Sequence, residues 1–458
     1  MNSFKKGKAG NMDRRSFLKK SSLIGAGVVM SPLLAEKRKQ PFTKPGVKRA
    51  APMDIVRIGF VGVGGMGTAH CKNLLNIEGA EIRAVCDIVP EKVENIQKLC
   101  LEKGFGKPDA YTRGEYDYKR MCERDDLDLI MTATPWKWHV PVAVEAMKSG
   151  KHTAIEVPAA LTIDECWDLV ETAEKEEKYC VMLENCNYDK TELTVLNMAR
   201  KGMFGELIHG AAGYLHDLRG IKFSNKGEGL WRLDHSVKRD GNLYPTHGLG
   251  PVAEYMDINR GNIFEYLVSM SSKSRGLNEF AAEKFGKDSP QALQKYVLGD
   301  VNVSLIKTSN GETITLYHDT NLPRPYSRIN EIQGTKGIFQ DYPPQIYIEG
   351  LSETHDRWEP LEKYYDEYLH PLWREMEEST KDAAGHGGMD YLEDFRLVDA
   401  LRKGRLPDMD VYDAVALSVV TELSEISVRN NGKPVKFPDF TRGAWKTNER
   451  IFLTDYKY

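Results

Sequence analysis

Ile55-Val56-Arg57-Ile58-Gly59-Phe60-Val61-Gly62-Val63-Gly64-Gly65-Met66-Gly67 is an apolar, β-rich run that breaks into glycines, and Ala69 to Ile77 behind it has helical character. Strand, glycine turn and helix in that order put Gly62, Gly64 and Gly67 in the G-x-G-x-x-G spacing. The first glycine makes a tight turn, the second lets a pyrophosphate approach the backbone, and the third packs helix on strand. Gly65 and Met66 complete the loop, where free N–H groups and the helix dipole favour phosphate. Glycine turns also serve plain hairpins, so the context decides. A second strand, Glu81 to Cys86, ends at Asp87, where a carboxylate accepts from the adenosine ribose hydroxyls and repels a 2′-phosphate, selecting NAD over NADP. The same aspartate also suits a helix cap before Pro90.

Outward from this motif the alternation continues. Leu127 to Thr134, His152 to Val157 and Tyr179 to Cys186 read as strands, with helices at His139 to Ser149 and Asp164 to Glu177. Successive βα units imply an α/β fold with a doubly wound parallel sheet. Ligands bind at the carboxyl ends of such strands, which places Trp136, His139, Glu156, Val157 and Asn185 around the nicotinamide half.

A chain of 458 residues exceeds one typical domain, and we divide it into an N-terminal segment 1–52, a Rossmann domain 53–188 and a substrate domain 189–458, whose last helices return to the first domain. Net charge is −4, from 63 basic and 67 acidic residues, so no global pull towards nucleic acid or anionic membrane exists. The seven cysteines all fall between Cys71 and Cys186, an odd set with neither a disulfide framework nor metal-ligand spacing. We expect Cys86, Cys180 and Cys186 to be core residues of strands, and no metal. Asp13-Arg14-Arg15-Ser16-Phe17-Leu18-Lys19-Lys20 ahead of a short apolar stretch resembles a twin-arginine export signal. The expectation is an exported, periplasmic protein without stable membrane insertion.

The glycine motif and the stretches Thr134-Pro135-Trp136-Lys137-Trp138-His139, Glu156-Val157-Pro158 and Glu184-Asn185 together resemble the glucose-fructose oxidoreductase/inositol dehydrogenase/MocA family. That family joins a Rossmann domain to a C-terminal α/β domain with an open, mainly antiparallel sheet. Its sugar dehydrogenases usually carry Glu-Lys-Pro where this chain has Glu156-Val157-Pro158, and valine cannot shuttle a proton. Glu-Val-Pro-Ala together with Tyr244-Pro245-Thr246-His247-Gly248-Leu249-Gly250-Pro251 is similar to glycoside hydrolase family 109, whose characterised activity is α-N-acetylgalactosaminidase.

In the second half, Glu206 to His216, Ile263 to Met270, Val301 to Lys307, Thr313 to His318 and Gln345 to Ile348 read as strands, and Tyr391 to Arg402 and Val411 to Arg429 as helices. The resemblance implies that Tyr214, Arg232, Tyr244, Pro245, Thr246 and His247 contact the sugar and that Tyr326 reaches both cofactor and sugar. Hydroxyl and guanidinium groups bind sugar hydroxyls and an acetamido group without requiring substrate charge. Candidate catalytic residues are His247, Tyr188 and Tyr244, with Glu156 on the nicotinamide ribose.

Most glycosidases work with two carboxylates, NAD-dependent ones being an exception. The implied cycle oxidises sugar C3, removes the C2 proton, eliminates the C1 substituent, adds water and reduces C3 again, with net retention. His247 and Tyr188 would handle the C3-hydroxyl and C2 protons in an order the sequence leaves open. An NAD-dependent sugar or polyol dehydrogenase and a non-catalytic NAD-bound sugar-binding protein are the rival readings. A homodimer formed through an exposed sheet face is a further expectation.

Overall fold

The computed structural model describes residues 48–457; the export-signal reading at Asp13 to Lys20 lies outside them. The first sheet contains β1 (Val56–Val61), β2 (Ala80–Cys86), β3 (Asp109–Tyr111), β4 (Leu129–Thr132), β5 (His152–Glu156) and β6 (Cys180–Leu183). Their order is β3-β2-β1-β4-β5-β6, all parallel. Strand order reverses between β1 and β4, and a doubly wound sheet opens its ligand crevice at that switch point. Buried side chains run almost continuously along β1 and β4 because helices cover both faces.

The helix after β1 begins at Gly65 and ends at Leu74, earlier than the Ala69 to Ile77 expected, because the loop glycines themselves form its first turn. Helices His139–Lys148 and Ile163–Glu176 follow β4 and β5 as anticipated, the second held by a capping box of Thr162 and Glu165. Cys86 and Cys180 sit in strands, but Cys186 lies in a 3₁₀ turn, Asn185–Tyr188, since β6 stops at Leu183. All seven thiols are free and buried.

The second sheet comprises β7 (Leu207–Leu215), β8 (Phe264–Ser271), β9 (Val301–Thr308), β10 (Thr313–Asp319), β11 (Glu331–Gly334), β12 (Gly337–Gln340), β13 (Gln345–Ile348), β14 (Glu359–Pro360) and β15 (Val435–Lys436). Its order is β14-β13-β12-β11-β7-β10-β9-β8-β15, antiparallel except for the β7–β10 pair. Leu267, Ile306, Ile314 and Leu316 are buried on one face. Tyr266, Met270 and Leu305 stand exposed on the other.

The long helix expected over Val411 to Arg429 is two, Val411–Ser418 and Val420–Arg429. The helix Met389–Lys403 lies against the helix that opens the dinucleotide loop, where Asp394 meets His70 and Asn73. Among the described residues no helix is long and apolar enough to cross a membrane.

Candidate active site

The cleft at the switch point has a volume of about 380 Å³ and is walled by both halves of the chain. Gly62, at φ +83°, turns the chain out of β1, and a Cβ there would lie 2.9 Å from the Ala133 carbonyl. A Cβ on Gly67 would come within 2.0 Å of the Gly62 oxygen, so only glycine lets this helix start against the strand end. Around Gly65 nothing lies within 4 Å of such an atom, which leaves the loop open to the cleft. Asp87 accepts from Val63 N at 3.0 Å and from Val89 N at 2.9 Å, bracing the loop while its carboxylate lines the cleft. Met66, Trp136, His139, Glu156 and Val157 continue the wall. Glycine cradle, ribose carboxylate and elongated cleft fit a dinucleotide.

His139 is clamped between the carbonyl oxygens of Pro158 (2.8 Å) and Thr134 (2.9 Å), and burial lowers its affinity for protons; it shapes the wall. Glu156 Oε1 meets His70 Nε2 at 2.9 Å, and Oε2 accepts from Val157 N at 3.0 Å. Burial opposes its charge, but the His70 bond keeps the carboxyl below its ordinary value.

Towards the second sheet the cleft becomes aromatic. Trp136 and Tyr244 stack at 5.7 Å between ring centroids, Tyr244 lies 4.5 Å from Tyr214, and Tyr214 stands 6.1 Å from Tyr326. The Arg232 guanidinium sits 5.1, 4.9 and 5.2 Å from the rings of Trp136, Trp231 and Tyr244, and pairs with Glu228. Rings and a fork of donors together suit a hydroxylated pyranose.

Two hydrogen-bonded acid–base pairs face this region. His247, in the first turn of the helix Thr246–Tyr255, has Nδ1 2.7 Å from Oε1 of Glu184, at the end of β6. The Tyr214 hydroxyl lies 3.0 Å from Nδ1 of His216 two residues on in the chain, and the Tyr214 and His247 rings are 5.6 Å apart. Burial pushes Tyr214 up to about 12, and burial together with Arg232 pushes His216 down, so the pair is phenol and neutral imidazole. Gly250 permits the approach of Asn187 and Glu184, since a Cβ would meet them at 2.6 and 2.8 Å. Pro245 sits just before that helix, and the buried Thr246 hydroxyl has no partner. The roles of Glu184 and His216 as partners were not read from the sequence.

Of the expected residues, Tyr214 and His247 reach the cleft wall through ring contacts with Tyr244, whereas Tyr188 and Asn185 have their polar atoms engaged elsewhere. Tyr188 is buried, its hydroxyl donates to Asp408 at 3.2 Å, and its ring packs on Phe452 at 5.4 Å, so the expectation that it works beside the nicotinamide is corrected. The Asn185 amide donates to Asp390 at 2.9 Å and faces His386 at 3.3 Å, so this side chain is spent on the helix Met389–Lys403. The turn Asn185–Tyr188 directs both. The structure also gathers what sequence spacing did not suggest: donor atoms of Glu184, Cys186 and His247 lie within 4.8 Å of one another. Burial pushes the Cys186 thiol far up, and Glu184 and His247 are already hydrogen-bonded to each other.

The family profile "Oxidoreductase family, NAD-binding Rossmann fold" matches residues 56–184, and "Glycosyl hydrolase 109, C-terminal domain" matches residues 188–447. A glycosyl hydrolase family 109 protein of Shewanella pealeana is 47% identical over 449 residues, covering 96% of this chain and 98% of that one. Another, of Solibacter usitatus, is 48% identical over 442 residues, covering 96% and 99%. Levoglucosan dehydrogenase in complex with NADH shares the fold at 18% identity and a TM-score of 0.65, over 84% of this chain and 99% of that one. With the glycine loop and Asp87 in place, the protein is an NAD-binding enzyme, and the chain belongs to glycosyl hydrolase family 109.

Proposed function

We propose that the protein is an exported glycosidase that removes terminal α-linked N-acetylgalactosamine with net retention, by oxidation and re-reduction of the bound sugar. The observation that carries this reading is the presence of two acid–base pairs, Glu184–His247 and Tyr214–His216, packed against Tyr244 of the cleft wall. Three carboxylates near this end are paired, Glu156 with His70, Glu184 with His247 and Glu228 with Arg232, which favours the NAD-dependent route over the two-carboxylate one.

Gly62 to Gly67, Asp87, Trp136 and Glu156 hold NAD, which supplies a hydride acceptor that is also the later donor. His247, its Nδ1 held by Glu184, takes the C3-hydroxyl proton. With C3 at the ketone level the C2 hydrogen is acidic, and Tyr214 receives it as its own hydroxyl proton passes to His216. Elimination at C1, addition of water, return of the C2 proton and reduction of C3 complete a cycle with no net change of redox state. Arg232, Tyr244 and Tyr326 hold the ring and its acetamido group.

The twin-arginine stretch supports export after cofactor loading, and the Tyr266, Met270 and Leu305 face supports a homodimer. Nucleotide-loaded protein should release nitrophenol from an α-N-acetylgalactosaminide without accumulating free NADH. In deuterated water the product should carry deuterium at C2; product without it removes the elimination step. Fractionation of cells carrying Arg14→Lys with Arg15→Lys should find the protein retained in the cytoplasm.

A further inference from the structure

His70 lies three residues after Gly67 on the helix that opens the dinucleotide loop, and it is fully buried. Its Nδ1 is 2.9 and 3.0 Å from the two oxygens of Asp394, and its Nε2 is 2.9 Å from Oε1 of Glu156. A neutral imidazole has one N–H and can donate to only one of these carboxylates. A carboxylate against each nitrogen therefore makes the ring a cation.

Its surroundings agree. The helix Met389–Lys403 brings Asp394, Glu393 and Asp390; β5 brings Glu156; its own helix brings Asn73 and Cys71; and Phe60 of β1 stacks at 6.1 Å. Asp390 has its own partner in His386, and Glu393, buried with both oxygens unpartnered, is pushed far up and stays protonated. Burial opposes charge on His70, but Asp394 and then Glu156 overcome it and raise the imidazole well above its ordinary value. Val157, next to Glu156 on the cleft wall, contributes no charge.

We infer that His70, held by Asp394, is a positioning residue for the nucleotide: from beneath the cleft wall it fixes the Glu156 carboxylate at the nicotinamide end. The cation next to Glu156 thus comes from the first helix of the Rossmann fold, and its anchor comes from a helix more than three hundred residues later. The inference rests on NAD binding and is independent of which sugar bond is broken.

The test follows release of NAD from purified, loaded protein and needs no sugar. In the parent protein the dissociation rate should change less than about twofold between roughly pH 5.5 and pH 8.5. In Asp394→Asn the ring keeps one carboxylate and titrates within that range, so release should accelerate by roughly tenfold or more towards alkaline pH. Adding Glu156→Gln to that variant should flatten the profile. Asn73→Ala, which removes the bonds to Ala384 and Asp394 but no charge, should change release without pH dependence. Asp394→Asn behaving like Asn73→Ala, or like the parent, overturns the inference. If Asp394→Asn does not fold, His70→Gln serves instead: fast release at every pH supports the assignment, and release at the parent's rate ends it. Because the readout is nucleotide release, this assignment and the glycosidase reading can fail separately.

Discussion

A histidine is only as good a base as the group that fixes its tautomer. Glu184 is buried and holds Nδ1 of His247 at 2.7 Å, leaving Nε2 for the substrate. Glu184→Gln keeps the shape but loses the carboxylate that orients Nδ1, so kcat should fall by roughly a hundredfold with little change in KM. Steady-state kinetics on the nitrophenyl glycoside will show this, and a change below about threefold removes Glu184 from the machinery. Tyr188→Phe makes the opposite case. Its hydroxyl serves Asp408, so the variant should lose about 1 kcal/mol in a denaturation curve and keep its turnover. His247 stands out in the sequence because glycine and proline flank a lone histidine in a small-residue segment. Tyr188 misled because adjacency to a strand end says nothing about which way a 3₁₀ turn carries the side chain.

Among the elements, the dinucleotide loop was the most legible, since the glycine spacing is dictated by contacts a Cβ would violate. Gly67→Ala, clashing with the Gly62 carbonyl, should yield protein that melts earlier and purifies without nucleotide. Gly65→Ala meets no protein atom, so its melting should match the parent, while NAD affinity drops because the methyl enters the cleft wall. Equal melting of the two variants contradicts this division. Long alternating strands such as β9 and β10 could be read from their pattern. The short β3, β11 and β12 could not, although the similarly short β13 could, because Ile346, Tyr347 and Ile348 of β13 are all strand formers, whereas β3, β11 and β12 mix in charge or glycine at Asp109, Glu331, Gly334 and Gly337. The break at Val419 likewise has no glycine or proline to announce it. The contact of Met389–Lys403 with Gly65–Leu74 predicts a pH effect as well. A histidine raised in the folded state stabilises fully below its unfolded value, near 6.5, and loses that contribution as pH climbs through the folded value. The stability gap between parent and Asp394→Asn should therefore be widest between about pH 5 and 6.5 and narrow towards alkaline pH.

At the scale of the whole molecule, the site is built from pairs that sequence distance hides: Glu184 and His247 are 63 residues apart, His70 and Asp394 are 324. Both sheets must form and meet before either pair exists, which is why single residues were legible and their partners were not. The same architecture leaves apolar side chains exposed on one face of the nine-stranded sheet, at β8 and β9. On that face Met270 is 70% exposed and Leu305 48%, with Tyr266 beside them, and strand pairing places Val268 opposite Leu305 and Val303 opposite Met270. Contiguous apolar side chains on a flat sheet are costly in water and mark an interface. Sedimentation equilibrium at micromolar concentration should give twice the chain mass. Met270→Lys with Leu305→Lys places two ammonium groups on each copy of the face and should give monomers whose melting and nucleotide content match the parent, since the helix-covered face and the cleft are untouched. A parent that sediments as a monomer ends the homodimer proposal, and a double variant that remains dimeric moves the interface to another surface.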